Sequence, residues 1–355
     1  MRRYIYSLII ACLSLTAINA QNNNTTDMEN LKLISEWDKT FPKSDRVNHK
    51  KVTFVNRYGI TLAADMYSPK NADAPLPAIA VCGPFGAVKE QCSGLYAQEM
   101  AERGFITLAF DPSFTGESGG QPRYMTSPDI NTEDFSAAVD YLVTNPSVNP
   151  EAVGVIGICG WGGLAINAAA ADPRIKATVA STMYDMSRVS ANGYFDSADS
   201  PEDRDKLKSA LAVQRTEDFR NGTPKLGGGV PDVLPDDAPK FLRDYFDYYK
   251  TPRGYHSRSL NSNGGRNATS SIPWISFPLM SRADEIKNAV MIIHGEKAHS
   301  FYFGSDAYKK LTVTPGQDNN KLLMVIPGAS HTDLYDRKDI IPFDALVRFF
   351  NEYLK

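Results

Sequence analysis

Cysteine is scarce in this sequence, and long apolar stretches are missing after the first twenty residues. Four cysteines occur in 355 residues, and no Cys-x-x-Cys or His-x-x-x-His spacing is present. A structural zinc site is therefore not expected, and the chemistry inferred below requires no cofactor. No apolar run beyond residue 20 is long enough to cross a bilayer, so no integral membrane span is predicted.

Neither sign of charge is in large excess, since the chain has 38 Lys and Arg against 41 Asp and Glu. Proteins that bind nucleic acid through its phosphates normally have a basic face, and no run of basic residues is present, so nucleic acid is not an expected partner. Hydrophobic residues make up 42% of the chain and aromatic residues 10%. These values exclude disordered, collagen-like and coiled-coil chains and favour a globular protein.

The first twenty residues have the three parts of a secretory signal peptide. Arg2 and Arg3 are basic, residues 4–17 are apolar, and the small Ala20 precedes a polar segment. We expect cleavage after Ala20 and export to the periplasm or the medium. The alternatives are an uncleaved anchor and a lipoprotein whose Ile-Ile-Ala-Cys segment would carry the lipid on Cys12.

Cleavage would remove Cys12 and leave Cys82, Cys92 and Cys159. An odd number of cysteines in an exported protein leaves at least one thiol unpaired, unless that thiol bonds another chain. The unpaired thiol is therefore a candidate for chemistry.

The sequence predicts a short N-terminal region followed by alternating strands and helices. Residues 21–50 are expected to form a tether and one lead-in helix around Met28–Trp37, and the first two strands are expected to form a hairpin at Tyr58 and Gly59. The repetition of strand and helix predicts an α/β fold with a mostly parallel eight-stranded sheet flanked by helices. The predicted strands are Val52–Asn56, Thr61–Tyr67, Ala78–Cys82, Ile106–Phe110, Val153–Gly157, Ala177–Ser181, Val290–Gly295 and Leu322–Pro327, and the main helices are Glu90–Arg103, Thr132–Leu142, Gly162–Ala171 and Pro342–Tyr353.

The connection between the sixth and seventh strands is about a hundred residues long, far more than an ordinary loop. We expect residues 51–185 and 289–355 to form the core and residues 186–288 to form a helical cap. Ser200 and Pro201 are typical of a helix start, and the spacing of Phe241 and Tyr245 predicts a second helix. A packing appendage at the sheet edge is the alternative. The aromatic residues proposed to line an apolar site in this cap are Tyr245, Phe246, Tyr248, Tyr249, Tyr255 and Trp274.

A strand turns sharply into an alanine-rich helix at Gly157–Gly163. This pattern is typical of a nucleophile elbow, in which a strained turn exposes the nucleophile and the helix N-terminus faces it. Cys159 occupies the tip, where the helix dipole and a nearby imidazole would favour the thiolate that attacks an acyl carbon. Trp161 stands where the usual pattern has glycine. If the elbow motif is aligned one residue later in the sequence, Gly160 occupies the tip and Cys159 is an inert buried residue.

A histidine is needed to take and return the proton of the nucleophile. His331 lies between the last strand and the last helix, where the chain order nucleophile, acid, base puts the base, and His299 is a minor rival. The acid should follow the seventh strand, but the usual aspartate is missing there. Glu296 is the nearest carboxylate and the predicted acid, with Asp185 as the alternate and Asp306 third. A surface ion pair is the other interpretation of Glu296.

The developing oxyanion needs backbone N–H donors from the residue after the nucleophile and from the loop after the third strand. We predict that the N–H groups of Gly160 and Phe85 fill this role. Gly83 and Trp161 are the predicted parts of the substrate pocket. A plain glycine turn is the alternative interpretation of the loop at residues 82–87.

With these residues placed, residues 51–355 resemble the α/β-hydrolase superfamily, and most closely the dienelactone-hydrolase-like bacterial hydrolases of the YcjY type. The resemblance implies an α/β-hydrolase fold with Cys159 as nucleophile, His331 as base and a preceding acid. The motifs that carry it are Cys82–Gly86 with Lys89–Gln91 and Ser93–Ala97, Gly104–Asp111, Gly157–Gly163, His294–Ser300, and Pro327–His331 with Asp333–Asp336.

The leading hypothesis is a cysteine-dependent hydrolase of esters, thioesters or lactones. It would act on a small-molecule acyl substrate and pass through an acyl-enzyme on Cys159. The second hypothesis is a prolyl or dipeptidyl peptidase, which predicts an acidic pair in the cap that binds the substrate amine. The third is a binding protein on a hydrolase scaffold, in which the later alignment of the elbow motif is correct.

Overall fold

The computed structural model of the chain describes residues 30–71, 75–316 and 319–355, so the predicted signal peptide and Cys12 lie outside the described residues. Within these ranges, eight strands form one sheet and two form a short ribbon. The strands are β1 Val47–Val55, β2 Thr61–Pro69, β3 Leu76–Cys82, β4 Ile106–Phe110, β5 Val148–Ile158, β6 Ile175–Ser181, β7 Leu226–Gly228, β8 Gly265–Asn267, β9 Ala289–Gly295 and β10 Lys321–Ile326.

The eight-stranded sheet has the order β1-β2-β4-β3-β5-β6-β9-β10. β1 and β2 form an antiparallel hairpin across Tyr58 and Gly59, and β2 pairs antiparallel with β4. The remaining neighbours are parallel. β4 and β9 are buried along their whole length, as expected of strands that are covered on both faces. The predicted α/β fold with a mostly parallel eight-stranded sheet is therefore confirmed.

Helices cover both faces of the sheet. The α-helices in the described ranges are α1 Cys92–Ala101, α2 Pro128–Val143, α3 Gly160–Ala171, α4 Met186–Asn192, α5 Pro201–Asn221, α6 Lys240–Tyr249, α7 Phe301–Leu311, α8 Asp333–Asp336 and α9 Phe343–Tyr353. Gly154 of β5 lies against Phe350 of α9, whereas Gly157 lies against Ala165 of α3. Since side chains alternate along a strand, α9 and α3 lie on opposite faces.

The segment before the sheet is not helical. The predicted lead-in helix at Met28–Trp37 is wrong for its described part, because residues 30–37 contain no helix. Core carboxylates hold the segment instead: Ile34 N donates to Glu117 Oε1 at 2.6 Å, and Lys39 Nζ donates to Asp65 Oδ2 at 2.6 Å. The segment thus satisfies backbone and charged groups through the core rather than through helical hydrogen bonds.

The chain between β6 and β9 forms an insertion of helices, the β7–β8 ribbon and loops. α5 begins where predicted, because Ser200 Oγ accepts from Asp203 N at 3.0 Å and Pro201 is the first helical residue. α6 contains Phe241 and Tyr245, again as predicted. Among the described residues, no helix combines the length and apolar character that crossing a bilayer requires.

A buried lysine lies among three buried carboxylates close to the loop after β3. Lys89 Nζ is 2.7 Å from Glu90 Oε1, 2.8 Å from Asp111 Oδ2 and 2.6 Å from Glu117 Oε2. Its ammonium thus supplies the positive charge that these carboxylates require. Arg258 of the insertion reaches the same cluster, with Nη2 2.9 Å from Glu90 Oε1. The cluster therefore ties the insertion to the core.

Candidate active site

Cys159 forms a sharp turn between β5 and α3. Its φ is 58° and its ψ is −128°, a strained conformation for a residue with a side chain. Its N–H donates to Ser181 O at 3.0 Å, and its carbonyl accepts from the N–H groups of Gly162 and Tyr184, both at 2.9 Å. These bonds brace the turn and place Cys159, not Gly160, at its tip.

The packing around the turn explains its unusual sequence. A Cβ at Gly157 would lie 2.1 Å from the carbonyl oxygen of Trp161, so only glycine fits there. The Trp161 side chain is buried and packs edge-on against Phe110 and Phe135, with ring centroids 5.8 and 5.5 Å away. A tryptophan is tolerated at this position because its ring enters the core beside α2.

Two backbone N–H groups act on the thiol. The N–H groups of Phe85 and Gly160 both lower the pKa of Cys159. Gly83 has a φ of +105°, and a Cβ there would lie 2.3 Å from Ile158 O, so glycine lets this loop approach the elbow. The structure thus brings the two predicted oxyanion donors to the predicted nucleophile, as an oxyanion hole requires.

Three hydroxyl groups surround His331. Its Nδ1 lies 2.9 Å from Thr182 Oγ1 and 2.6 Å from Ser300 Oγ, and its Nε2 lies 3.0 Å from the Tyr335 hydroxyl. The Tyr335 hydroxyl also acts on the Cys159 thiol and lowers its pKa. Tyr335 therefore stands between the predicted nucleophile and the predicted base.

Sequence reasoning missed Tyr335, Thr182 and Ser300. Tyr335 follows His331 by four residues, a spacing that places both side chains on one side of a helical turn and could have indicated the pair. Thr182 directly follows β6, and Ser300 precedes α7. No short motif marks either hydroxyl as a histidine partner.

The structure does not bring the predicted acids to His331. Glu296 is exposed, and its Oε2 accepts from Gly328 N at 2.8 Å. Asp185 caps α4 by accepting from the N–H groups of Ser187 and Arg188, and Asp306 pairs with Arg188 at 2.9 Å. The acid assignment is corrected accordingly, because hydroxyls occupy the positions at Nδ1 where a carboxylate was expected.

Burial sets the protonation states of the site. It raises the pKa of the Cys159 thiol, despite the three hydrogen bonds that lower it. Burial also lowers the pKa of His331 well below 6.5, with smaller contributions from His299 and His294. The resting pair is therefore a neutral thiol and a neutral imidazole, not the thiolate expected from the helix dipole.

The rival histidine does not contact the thiol. His299 Nε2 hydrogen bonds the Tyr184 hydroxyl, and its ring stacks on Phe241 with centroids 4.5 Å apart. Burial lowers the pKa of His299 to about 4. His299 is therefore a neutral part of the aromatic wall.

Cys159 faces a cavity of 480 Å³ between the core and the insertion. Phe85 and Tyr335 line it beside the thiol, and its walls are mainly aromatic and apolar. The aromatic residues of the wall are Tyr184, Tyr194, Phe241, Tyr245 and Tyr249. A cavity of this size suits a small organic molecule.

Only part of the predicted pocket lies on this wall. Of the six aromatic residues proposed for the cap, Tyr245 and Tyr249 line the cavity, whereas Trp274 packs edge-on against Phe85 with centroids 5.6 Å apart. Gly83 and Trp161 do not line it, which corrects the predicted substrate pocket. Gly83 lies against the carbonyl of Ile158, and the Trp161 ring packs in the core.

The sheet order, the elbow at Cys159 and the histidine after the last strand define an α/β hydrolase. The solved structure of the α/β hydrolase GrgF from Penicillium has the same fold, with a TM-score of 0.67 at 18% identity over 86% of this chain and 99% of GrgF. The sequence model of the X-Pro dipeptidyl-peptidase (S15) family matches residues 58–324, and the chain belongs to this family.

Two relatives match most of the chain. The uncharacterized protein PA2218 of Pseudomonas aeruginosa is 54% identical over 349 residues, which cover 98% of this chain and 92% of PA2218. Its crystal structure has a TM-score of 0.88 at 55% identity and covers 92% of this chain and 100% of that chain. The uncharacterized protein YcjY of Escherichia coli is 32% identical over 320 residues, or 86% of this chain and 99% of YcjY. The predicted likeness to YcjY-type proteins is confirmed.

A shorter match joins the chain to the thiohydrolase aneE of Aspergillus aculeatus. The two are 33% identical over 133 residues, which cover 38% of this chain and 41% of aneE. Together with the fold, membership of the S15 family identifies the protein as a hydrolase.

Proposed function

We propose that the protein hydrolyses esters, thioesters or lactones of a small acyl substrate through an acyl-enzyme on Cys159. The observation that carries the proposal is the position of the thiol at a braced turn, against the N–H groups of Phe85 and Gly160 and beside an aromatic cavity. The match to a thiohydrolase supports a thioester as the substrate.

The first half-reaction starts with the S–H bond of Cys159. The thiol proton passes to the Tyr335 oxygen while the Tyr335 O–H proton passes to Nε2 of His331, and the sulfur attacks the acyl carbon. The carbonyl electron pair moves to oxygen, where the Phe85 and Gly160 N–H groups stabilise it. The bond to the leaving group then breaks, the leaving group takes the proton back through Tyr335, and an acyl group remains on the sulfur.

Water completes the reaction. A water molecule in the place of the leaving group gives a proton to the same relay and attacks the acyl carbon, and the C–S bond breaks. Cys159 regains its proton and the carboxylic acid leaves. Thr182 and Ser300 hold Nδ1 of His331 and fix the ring orientation in both half-reactions.

The family match favours a second candidate, release of a dipeptide that ends in proline. Such a substrate carries a free α-amino group, for which an acidic pair in the cap is expected. None of the described residues on the cavity wall is Asp or Glu. Cys159-dependent turnover of an aminoacyl-prolyl naphthylamide, without turnover of acyl esters, would nevertheless favour the peptidase.

We further propose that the protein acts outside the cytoplasm. The basic Arg2 and Arg3, the apolar residues 4–17 and the small Ala20 support export. N-terminal sequencing of the protein from a periplasmic fraction tests this, with Gln21 expected as the first residue. A mature chain that begins at Cys12 would instead favour the lipoprotein.

The proposed hydrolysis is tested with short-chain 4-nitrophenyl esters and N-acetylcysteamine thioesters. We expect turnover that Cys159→Ala abolishes and that Cys92→Ala, which removes another buried free thiol, retains. Thermal unfolding of both variants reports whether they are folded. Full activity in a folded Cys159→Ala protein would contradict the proposal.

A further inference from the structure

Arg266 carries the one formal charge among the described residues on the cavity wall. It lies in β8, and its backbone is held opposite Gly227 of β7. Gly228 of β7 has a φ of +74°, and a Cβ at that position would lie 3.0 Å from Nη1 of Arg266. The glycines of the ribbon therefore leave room for the guanidinium beside the cavity.

Arg266 has no counterion within the described part of the chain. Arg253, another partly buried arginine of the insertion, pairs with Asp336 at 2.6 Å. The Arg266 guanidinium makes neither an ion pair nor a side-chain hydrogen bond with any described residue, and it lies over the Phe85 ring, 5.3 Å from its centroid. Arginine remains charged in proteins, so this cavity holds a positive charge with open hydrogen-bond donors. Such a charge is costly unless a ligand pairs with it.

The charge lies beside the site of acyl chemistry. Phe85 supplies both the ring under the guanidinium and the N–H group at the Cys159 thiol. Arg266 is therefore one aromatic side chain away from the predicted oxyanion. An acyl group bonded to Cys159 would extend into a cavity with aromatic walls and a positive charge.

We propose that the cavity selects acyl substrates that carry an anionic group and that Arg266 binds this group. The inference rests on the proposed hydrolase function and specifies its substrate class. The flat guanidinium can donate two parallel hydrogen bonds to a carboxylate or a phosphate. A protonated amine, as a dipeptidyl peptidase would bind, is repelled by the same charge.

The test uses a matched pair of N-acetylcysteamine thioesters, glutaryl and valeryl, which have the same chain length and differ in the terminal carboxylate. For the unmodified protein we expect kcat/KM at least about tenfold higher for the glutaryl thioester, since two charge-assisted hydrogen bonds are gained. Arg266→Met should remove that preference by lowering kcat/KM for the glutaryl thioester to near the valeryl value, and Arg266→Lys should retain part of it. A 4-phosphonobutyryl thioester shows whether a carboxylate or a phosphate-like group is preferred.

The anion-site proposal would be overturned if Arg266→Met lowered kcat/KM equally for both thioesters, or if the unmodified protein showed no preference for the glutaryl thioester. Calorimetry with the Cys159→Ala protein separates binding from chemistry. If the glutaryl thioester binds this protein and fails to bind after Arg266→Met is added, the anion site stands even when no thioester is hydrolysed. If both thioesters are hydrolysed and neither rate depends on Arg266, the hydrolase proposal stands and the anion site falls.

Discussion

The hydroxyl of Tyr335 lies 3.0 Å from Nε2 of His331. The same hydroxyl lowers the pKa of the Cys159 thiol, which supports a proton path through the phenol from nucleophile to base. A histidine that is reached through a phenol differs from the direct nucleophile–histidine contact of the usual catalytic triad. Tyr335 therefore takes part in every proton transfer of the proposed mechanism.

Tyr335→Phe removes the hydroxyl and keeps the ring. We expect kcat for an N-acetylcysteamine thioester to fall about a hundredfold, the lower range for loss of a positioned acid or base, while KM stays within twofold. Tyr58→Phe is the matched control, because Tyr58 lies in the exposed hairpin turn. Full kcat in Tyr335→Phe would show that the phenol lies outside the proton path.

Ser300→Ala and Glu296→Gln test what orients the histidine. We expect Ser300→Ala to lower kcat roughly tenfold with little change in KM, because Nδ1 loses its 2.6 Å partner and general-base catalysis depends on ring orientation. Ser300→Thr should restore much of the rate. Glu296→Gln should leave kcat within twofold, and a hundredfold loss there would reinstate Glu296 as the acid.

The pH dependence of kcat/KM reports the buried imidazole. Because burial holds the pKa of His331 well below 6.5, the base is already deprotonated at pH 6. We expect the acid limb of the kcat/KM profile to lie clearly below pH 6, and alkylation of Cys159 by iodoacetamide to rise only above pH 9, since burial raises the thiol pKa. An acid limb centred near pH 6.5 to 7 would contradict this protonation state.

Lys89→Met leaves the carboxylates of Glu90, Asp111 and Glu117 without their central cation. We expect the free energy of unfolding at pH 7 to fall by about 3 to 5 kcal/mol, the cost of removing one partner of a buried ion pair. Lys206→Met is the control, because Lys206 pairs only at the surface of α5. Urea unfolding measures both variants, and a loss below about 1 kcal/mol in Lys89→Met would contradict the structural role.

The Lys89 cluster also determines the direction in which stability changes with pH. The Lys89 ammonium lowers the pKa of Glu90 and Glu117. The two ionised carboxylates therefore stabilise the fold above pH 4.5, and this stabilisation is lost as the pH falls through the lowered pKa values. Lys89→Met removes this stabilisation by the carboxylates at neutral pH. The stability difference between the two proteins should therefore narrow as the pH is lowered below 4.5.

Most of the fold could be predicted from the spacing of hydrophobic residues and from the glycine and proline residues at turns. Each predicted strand of the sheet overlaps an observed one, because short runs of β-branched residues bounded by glycine and proline are typical of buried strands. The elbow was recognisable for a similar reason, since Gly157 and Cys159 meet a local steric demand that is visible in a short segment.

The hydroxyl groups around His331 could not be predicted from local sequence patterns. Thr182, Ser300 and Tyr335 come from three separate segments of the chain, and only the complete fold brings them to one imidazole. The prediction of a lead-in helix is wrong for a related reason, because long-range bonds from Ile34 and Lys39 to buried carboxylates hold this segment. The prediction that Trp161 lines the pocket is wrong because an elbow motif does not specify on which side of the turn a large ring packs.

The most direct test is mass spectrometry of the protein mixed with an activated acyl ester and quenched within the first turnover. We predict a mass gain of one acyl group on the peptide that contains Cys159, absent in Cys159→Ala and formed much more slowly in Tyr335→Phe. Absence of any acyl adduct while the ester is hydrolysed, or acylation of Cys82 or Cys92 instead, would contradict it.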